Sequence, residues 1–368
     1  MKKLRWIIIV LIIALAAACE RRPLEYTYGP TIKTIVKVLW EVNVHTYPDG
    51  KKPTGITLFF FRDGKFYNSF TTANVDSCTV ELPVGQYRLY MISQSPEEYW
   101  KVDFKNMRSF NGAESILKQS SSKWALRSGL EDEAVVENPE IIYAGTSEEF
   151  EVTQAMIDDY QYYSTTLHRK LASKGSLQDK QIKDLEQAVY YYTIRIPVYP
   201  YNIVSQLQFI IYAANIDVLQ AVRASNSGMA RTFVLTQSTT GKEEAIQMIT
   251  NEWERTTDDA SKRIGHITGT ITTFGLPNGE IPSASRDSSL NVSALLIDNA
   301  TIANYTFNVG DKIQNLDPNP GYRALYRVVF GSADNPAITL PDVKPHGGGG
   351  FIASVHDWEE EIESDIVI

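Results

Sequence analysis

The feature that most constrains this chain is a repeated device: short runs rich in Ile, Val, Thr and aromatic residues, each closed by Pro, Gly, Asp or Asn. "TIKTIVKVLWEVNV", Thr31 to Val44, is the first run, and the turn "YPDGKKPTG" ends it. "ITLFFFRDGKFYNSFTT" follows, with Asp63-Gly64 as a hairpin signal. In "CTVELPVGQYRLYMIS", Pro83 and Gly85 turn the chain and Tyr87, Leu89 and Met91 alternate on one face. Closely spaced short strands with this punctuation predict an antiparallel β-sandwich.

The stretch from Thr153 to Tyr192 changes period. Met156, Ile157, Tyr160, Tyr163, Leu167 and Leu171 fall at helical spacing, and Lys174-Gly175 suits a stop. Ser176 with Asp179 opens a second helix that carries Ile182, Leu185 and Val189. We expect a helical hairpin inserted over, or joining, two β domains, because period two returns at Ile194, Ile196 and Val198 and at Leu207, Phe209 and Ile211. A second sandwich is predicted through "RTFVLTQS", "HITGTITTFGLP", "SLNVSALLI" and "YRALYRVVFG". The intervening "GKEEAIQMITNEWERT", with Ile246, Ile249 and Trp253, reads as a short helix or a long loop.

The apolar run from Trp6 to Ala18 is shorter than the ~20 residues a membrane span needs. Positive residues precede it and Ala16-Ala17-Ala18-Cys19 closes it, as in a secretory signal. Small residues before a cysteine are similar to the bacterial lipobox, which implies cleavage before Cys19 and its acylation; Leu15 lies one place further from Cys19 than the usual lipobox leucine. An ordinary secretory signal with a chance cysteine is the alternative. Two or three acyl chains anchor stably where one does not. The organisation is then 1–18 signal peptide, 19–30 tether, 31–152 first β-sandwich, 153–192 helical hairpin and 193–368 second β-sandwich, ending in a strand at 351–368.

Composition narrows function. The net charge of −9 and the lack of a basic stripe exclude a nucleic-acid binder. Beyond Cys19 the chain has only Cys78, read as a small buried apolar residue, so an acylated Cys19 leaves no intramolecular disulfide. His45, His168, His266, His346 and His356 are scattered without metal-ligand spacing, and no nucleophile elbow, phosphate loop or dinucleotide fingerprint occurs. No cofactor is expected. His356-Asp357 with Glu359, Glu360 and Glu361 reads as a solvated charge run, and "LDPNPGY" as a turn rather than a calcium loop. Phe, Trp and Tyr make up 11% of the chain, and exposed rings can stack on sugars. Tyr190, Tyr191, Tyr192, Tyr199 and Tyr201 read as half-buried rings with wet hydroxyls at the end of a helix entering a strand.

After the flexible joint Gly347 to Gly350, Trp358, Ile362, Ser364, Ile366 and Ile368 share one parity, while Glu359, Glu361, Glu363 and Asp365 share the other. This is a strand with one apolar and one acidic face. It has two homes: an edge of its own domain, or an open groove in a neighbouring subunit by strand addition.

Cys19 followed by Glu20-Arg21-Arg22, "VELPVGQYRLYMI", "SNSGMARTFVLT", "GTITTFGLP" and the Gly-rich, Trp-containing acidic terminus together resemble fimbrillin-like lipoproteins of the Bacteroidales. The resemblance covers most of the chain after Cys19. It implies a mainly β fold of two transthyretin-like or Ig-like Greek-key β-sandwich domains, here with a helical hairpin insertion that departs from the pattern. It also implies export as a lipoprotein to the outer membrane and cell surface, and assembly into pili with other fimbrial subunits. In such pili, cleavage after an arginine removes the first strand and a donor strand fills the groove. Carried over, Ile35 to Val44 is the strand removed, Trp358, Ile362, Ile366 and Ile368 lie on the donor, and Arg62 and Arg88 are the cleavage candidates. The expected protein is a non-enzymatic, lipid-anchored pilus subunit or accessory adhesin with a host or bacterial surface ligand. The alternative is a surface lipoprotein that binds glycans through exposed aromatics; a glycan hydrolase comes third.

Overall fold

The computed structural model describes residues 29–40, 52–120, 134–172, 179–237, 239–240, 246–250, 253–282, 288–316 and 324–345. Before the helices lie β1 (Ile32–Val38), β2 (Ile56–Arg62), β3 (Lys65–Thr72), β4 (Ser77–Leu82) and β5 (Gly85–Ser93). They are followed by β6 (Val102–Lys105), β7 (Glu114–Leu117), β8 (Ala134–Val136), β9 (Tyr143–Thr146) and β10 (Phe150–Val152). Helices α1 (Gln154–Ala172) and α2 (Asp179–Tyr192) come next. The chain continues with β11 (Ile194–Val198), β12 (Tyr201–Asn202), β13 (Ser205–Ala214), β14 (Leu219–Ser227), β15 (Thr232–Val234), β16 (Thr239–Thr240) and β17 (Ile246–Thr250). The last strands are β18 (Trp253–Asp259), β19 (Ile264–Thr273), β20 (Ser289–Leu296), β21 (Ile302–Asn308), β22 (Gln314–Asn315), β23 (Leu325–Phe330) and β24 (Ile338–Thr339).

The fold is mainly β, with several sheets of the kind that build a β-sandwich. The chain divides into two compact units. One takes in Met1–Lys33, Glu81–Val84 and Val152–Thr193, and so contains both helices; the other holds the remainder. The sheet orders are β11-β1-β4, β12-β9-β5-β2-β3, β18-β19-β13-β23-β22, β21-β20-β14-β17-β8 and β16-β15-β7-β6. Strands from after the helices thus complete sheets begun before them. One cluster of buried side chains runs from Phe59 and Tyr90 through Leu207 and Phe209 to Leu340.

β2 explains the centre of the first half. Ile56 to Phe61 has no polar alternation, and all six residues are buried. A strand of this kind needs cover on both faces. Leu58 lies opposite Met91 and Phe60 opposite Leu89 on one face, while Phe59 stacks on Tyr90 at 4.8 Å on the other. The predicted hairpin forms at Asp63-Gly64, whose positive φ angles of 50° and 77° suit a two-residue turn. β13 alternates cleanly, with Leu207, Phe209, Ile211 and Ala213 buried, and pairs antiparallel with β19 and parallel with β23. Phe209 faces Gly269, and a Cβ at Gly269 would sit 2.0 Å from its ring, so only glycine leaves room there.

Three expectations need correction. "GKEEAIQMITNEWERT" is neither helix nor loop where it is described: Ile246–Thr250 pairs with β14, and Trp253–Asp259 pairs with β19. Ile246, Ile249 and Trp253 are too few to distinguish a helix from two short strands, and ladder bonds to neighbouring strands decided it. The first strand ends at Val38 rather than Val44, and residues 41–51 lie outside the described residues. Cys78 is partly exposed rather than buried, and its partial burial pushes the thiol pKa up. The two helices form where the spacing placed them, but Met156 and Leu171 are exposed while Ile157 is fully buried.

Candidate functional site

The candidate site is the slot that β1 occupies. Ile32, Thr34 and Val36 are fully buried and Val38 is 4% exposed, while Lys37 faces water. Alternation of β-branched residues with lysines gives this row its one-sided character. β1 lies between β11 and β4 and runs parallel to β11, with Thr34 opposite Ile194 and Val38 opposite Val198. Its end is fastened on both sides: the Val38 amide donates to the Asp76 carbonyl at 3.0 Å and the Leu39 amide to the Val198 carbonyl at 2.8 Å. Trp40 Nε1 donates to the Val75 carbonyl at 2.9 Å, and its ring meets Tyr143 edge-on at 5.5 Å. Removing a strand from such a position leaves two sheet edges about 10 Å apart, twice the strand spacing and the width of one donated strand.

Thr34 is the unusual member of the row. Its Oγ1 is buried and has no hydrogen-bond partner among the described residues, which costs stability that Ile32 and Val36 do not lose. Sequence reading placed this strand but passed over Thr34, although its parity with Ile32 and Val36 was available as a signal.

The last described strand is also fastened. β24 runs parallel to β13, the Leu340 amide donates to the Ala214 carbonyl at 3.1 Å, and Asn215 Nδ2 donates to the Leu340 carbonyl at 2.9 Å. Arg263 clamps the segment that follows, with Nε on Asp217 at 2.8 Å and Nη2 on Asp342 at 2.9 Å. The Arg263 bond comes first among the effects that hold the Asp217 carboxyl below its ordinary range. No sequence motif pointed to this clamp.

Cys19, Trp358, Ile362, Ile366 and Ile368 lie outside the described residues, as do His45, His346, His356 and the "LDPNPGY" turn apart from Leu316. Arg62 and Arg88 are described, and both sit inside ladders. Arg62 pairs across to Lys65 and Tyr87, and Arg88 pairs with Phe61 while bonding Glu149 at 2.7 Å. A protease takes an unpaired loop, so cleavage at either needs local unfolding. Among the described histidines, His168 is exposed on α1 and His266 Nδ1 lies 2.8 Å from Asp258. No group of three or more His, Cys, Asp or Glu able to hold a metal occurs among the described residues. No helix there is long and apolar enough to cross a membrane.

The aromatic expectation is corrected in part. Tyr190, Tyr191 and Tyr199 are 65%, 77% and 55% exposed rather than half-buried, whereas Tyr192 and Tyr201 are partly covered. Tyr190 and Tyr191 stand in the last turn of α2, and Tyr199 lies between β11 and β12.

A family profile described as Domain of unknown function (DUF5119) matches residues 18–250. The chain belongs to this family. No curated protein matches it in sequence. Among solved structures it is similar to a candidate adhesin from Bacteroides ovatus, at 14% identity and a TM-score of 0.52, over 89% of this chain and 98% of that one. It is also similar to the fimbrial anchor protein Mfa2 from Porphyromonas gingivalis, at 11% identity and a TM-score of 0.44, over 81% and 90% of the chains. A candidate polysaccharide-binding protein from Bacteroides thetaiotaomicron gives 10% identity and a TM-score of 0.44, over 81% and 91%. The neighbours of this family member are thus Bacteroidales adhesin candidates and fimbrial proteins, in keeping with the resemblance drawn from sequence. At such identities the first likeness speaks for the fold alone.

Proposed function

We propose that the chain is a non-enzymatic cell-surface fimbrial subunit or accessory adhesin, anchored in the outer membrane through acylated Cys19 and joined to other fimbrial subunits by strand donation. In this reading 31–152 and 193–368 are two transthyretin-like sandwiches, 153–192 is an insertion, and the strand at 351–368 is the donor. The observation that carries the reading is a match of rows. The buried residues of β1 run Ile32, Thr34, Val36, Val38, and the apolar face of the terminal segment runs Ile362, Ser364, Ile366, Ile368. Aliphatic, hydroxyl, aliphatic, aliphatic recurs at the same spacing of two. A donor in this register has aliphatic side chains at three of the four buried positions, as the pockets of a strand-addition slot require, and the small Ser364 at the position of Thr34.

The test uses the chain beginning at Cys19, with the recognition sequence of a site-specific protease inserted after Lys52, ahead of the unpaired Pro53-Thr54, and a synthetic peptide spanning Trp358 to Ile368. After cleavage, the peptide should displace residues 19–52, remain bound on an unheated denaturing gel, and raise the melting temperature. A peptide with Ile366→Lys should do neither. If the native peptide leaves the residues 19–52 fragment in place under conditions that loosen β1, donation into this slot is wrong and the terminal strand serves its own domain.

A further inference from the structure

We infer that the tyrosine shelf on the helical unit is a membrane-interface face that seats on the lipid surface; this rests on the lipid-anchored reading above. Four rings run unbroken across the two helices. Tyr162 meets Tyr163 edge-on at 5.1 Å, Tyr163 stacks on Tyr192 at 5.0 Å and 11°, and Tyr192 meets Tyr191 edge-on at 5.1 Å. The outer rings are in water, Tyr162 at 67% and Tyr191 at 77% exposure. Mutual stacking fixes the rings before any partner arrives, so docking loses little side-chain freedom.

Where the tether enters the fold argues for lipid as the occupant. The same compact unit contains Thr31, Glu81 and Tyr160. The Thr31 hydroxyl donates to Glu81 at 3.0 Å, and the Glu81 charge, after burial, helps push the Tyr160 hydroxyl pKa up. Tyr160 lies one helical turn from Tyr163. From Cys19 to Gly29 a fully extended chain reaches at most about 35 Å, and α1 itself is about 28 Å long. An acylated Cys19 therefore keeps this unit within roughly one helix length of the bilayer.

The chemistry of the face agrees. Tyrosine has an apolar ring and a polar tip, and is enriched at the level of lipid headgroups for that reason. Asp158 and Asp159 balance Arg169 and Lys170 along α1, so attraction to anionic lipid contributes little.

The experiment uses the chain beginning at residue 19 with Cys19→Ser, which removes the anchor and leaves the shelf to act alone. Vesicles of phosphatidylethanolamine and phosphatidylglycerol are sedimented with it at low and high salt. We expect co-sedimentation that salt barely changes, and a fall of about tenfold in partitioning for Tyr162→Ser with Tyr191→Ser, given two lost interfacial rings. Tyr162→Phe with Tyr191→Phe should keep most of the binding. Equal partitioning of the Ser variant and its parent, at unchanged circular dichroism, overturns the proposal. So does vesicle binding that a soluble oligosaccharide displaces, which would make the shelf a sugar platform. Mass analysis of the native N-terminus tests acylation of Cys19 separately, so failure of the anchor and failure of the shelf are told apart.

Discussion

Replacing Thr34 by valine should make this protein more stable, and the reasoning for strand exchange depends on it. Thr34 is 0% exposed, occupies the middle strand of its sheet, and buries a hydroxyl without a partner among the described residues. An unsatisfied buried hydroxyl costs about 1–3 kcal/mol, and the methyl group that takes its place contributes about 0.8 kcal/mol more. Valine keeps the branched shape and the strand preference. After allowance for imperfect packing, Thr34→Val should gain about 2 kcal/mol, read as a higher urea midpoint at an unchanged slope. Because about 1.4 kcal/mol is tenfold in an equilibrium, capture of the Trp358 to Ile368 peptide by the cleaved chain should weaken by roughly 30-fold. Loss of stability in Thr34→Val would show that the hydroxyl is bonded and would refute the reasoning from an unsatisfied group. A gain in stability with undiminished peptide capture would show that the peptide enters somewhere other than the β1 slot.

Gly269→Ala should cost about 1–3 kcal/mol, because the new Cβ meets the buried Phe209 ring. Adding Phe209→Leu should return part of that loss, a non-additivity that urea titration of the double mutant measures. Asp298 closes the turn between β20 and β21, accepting from the Thr301 amide at 3.0 Å and the Thr301 hydroxyl at 2.6 Å. Burial acts to raise its carboxyl pKa, but these bonds outweigh it and the net direction is down. A depressed folded-state value contributes stability above the unfolded value, and the contribution is lost as pH falls through the folded one. Asp298→Asn should therefore lower stability at neutral pH, flatten the acid limb of the stability curve below about pH 4, and converge on the parent at the lowest pH, as melting temperatures across the pH range would show.

Much of the β framework was legible. Tyr87, Leu89 and Met91 alternate as read, and Asp63-Gly64 turns the β2–β3 hairpin because both residues accept positive φ. α1 and α2 were legible for a similar reason: period 3.6 sustained over two runs has no strand equivalent. Legibility failed at Ile246 to Asp259, where short apolar spacing fits either element and cross-strand partners decide between them. It failed again at Tyr190 and Tyr191, because exposure depends on where a helix stops against its surroundings. For the candidate site, the sequence marked β1 and the terminal segment, but neither the middle position of β1 nor the unpartnered Thr34 hydroxyl can be read from a run of residues.

By itself the sequence determined what is local: the alternation that makes strands, the period that makes two helices, and the Asp-Gly turn. Tertiary structure alone decided that β1 lies between β11 and β4, that β2 is buried on both faces, that Gly269 receives a phenylalanine ring, and that Arg263 ties Asp217 to Asp342. The division has a physical cause. Backbone propensity and side-chain period act over a few neighbouring residues, whereas strand order, burial on a second face and ion pairing depend on residues far apart in the chain, whose meeting is settled only when the whole core packs.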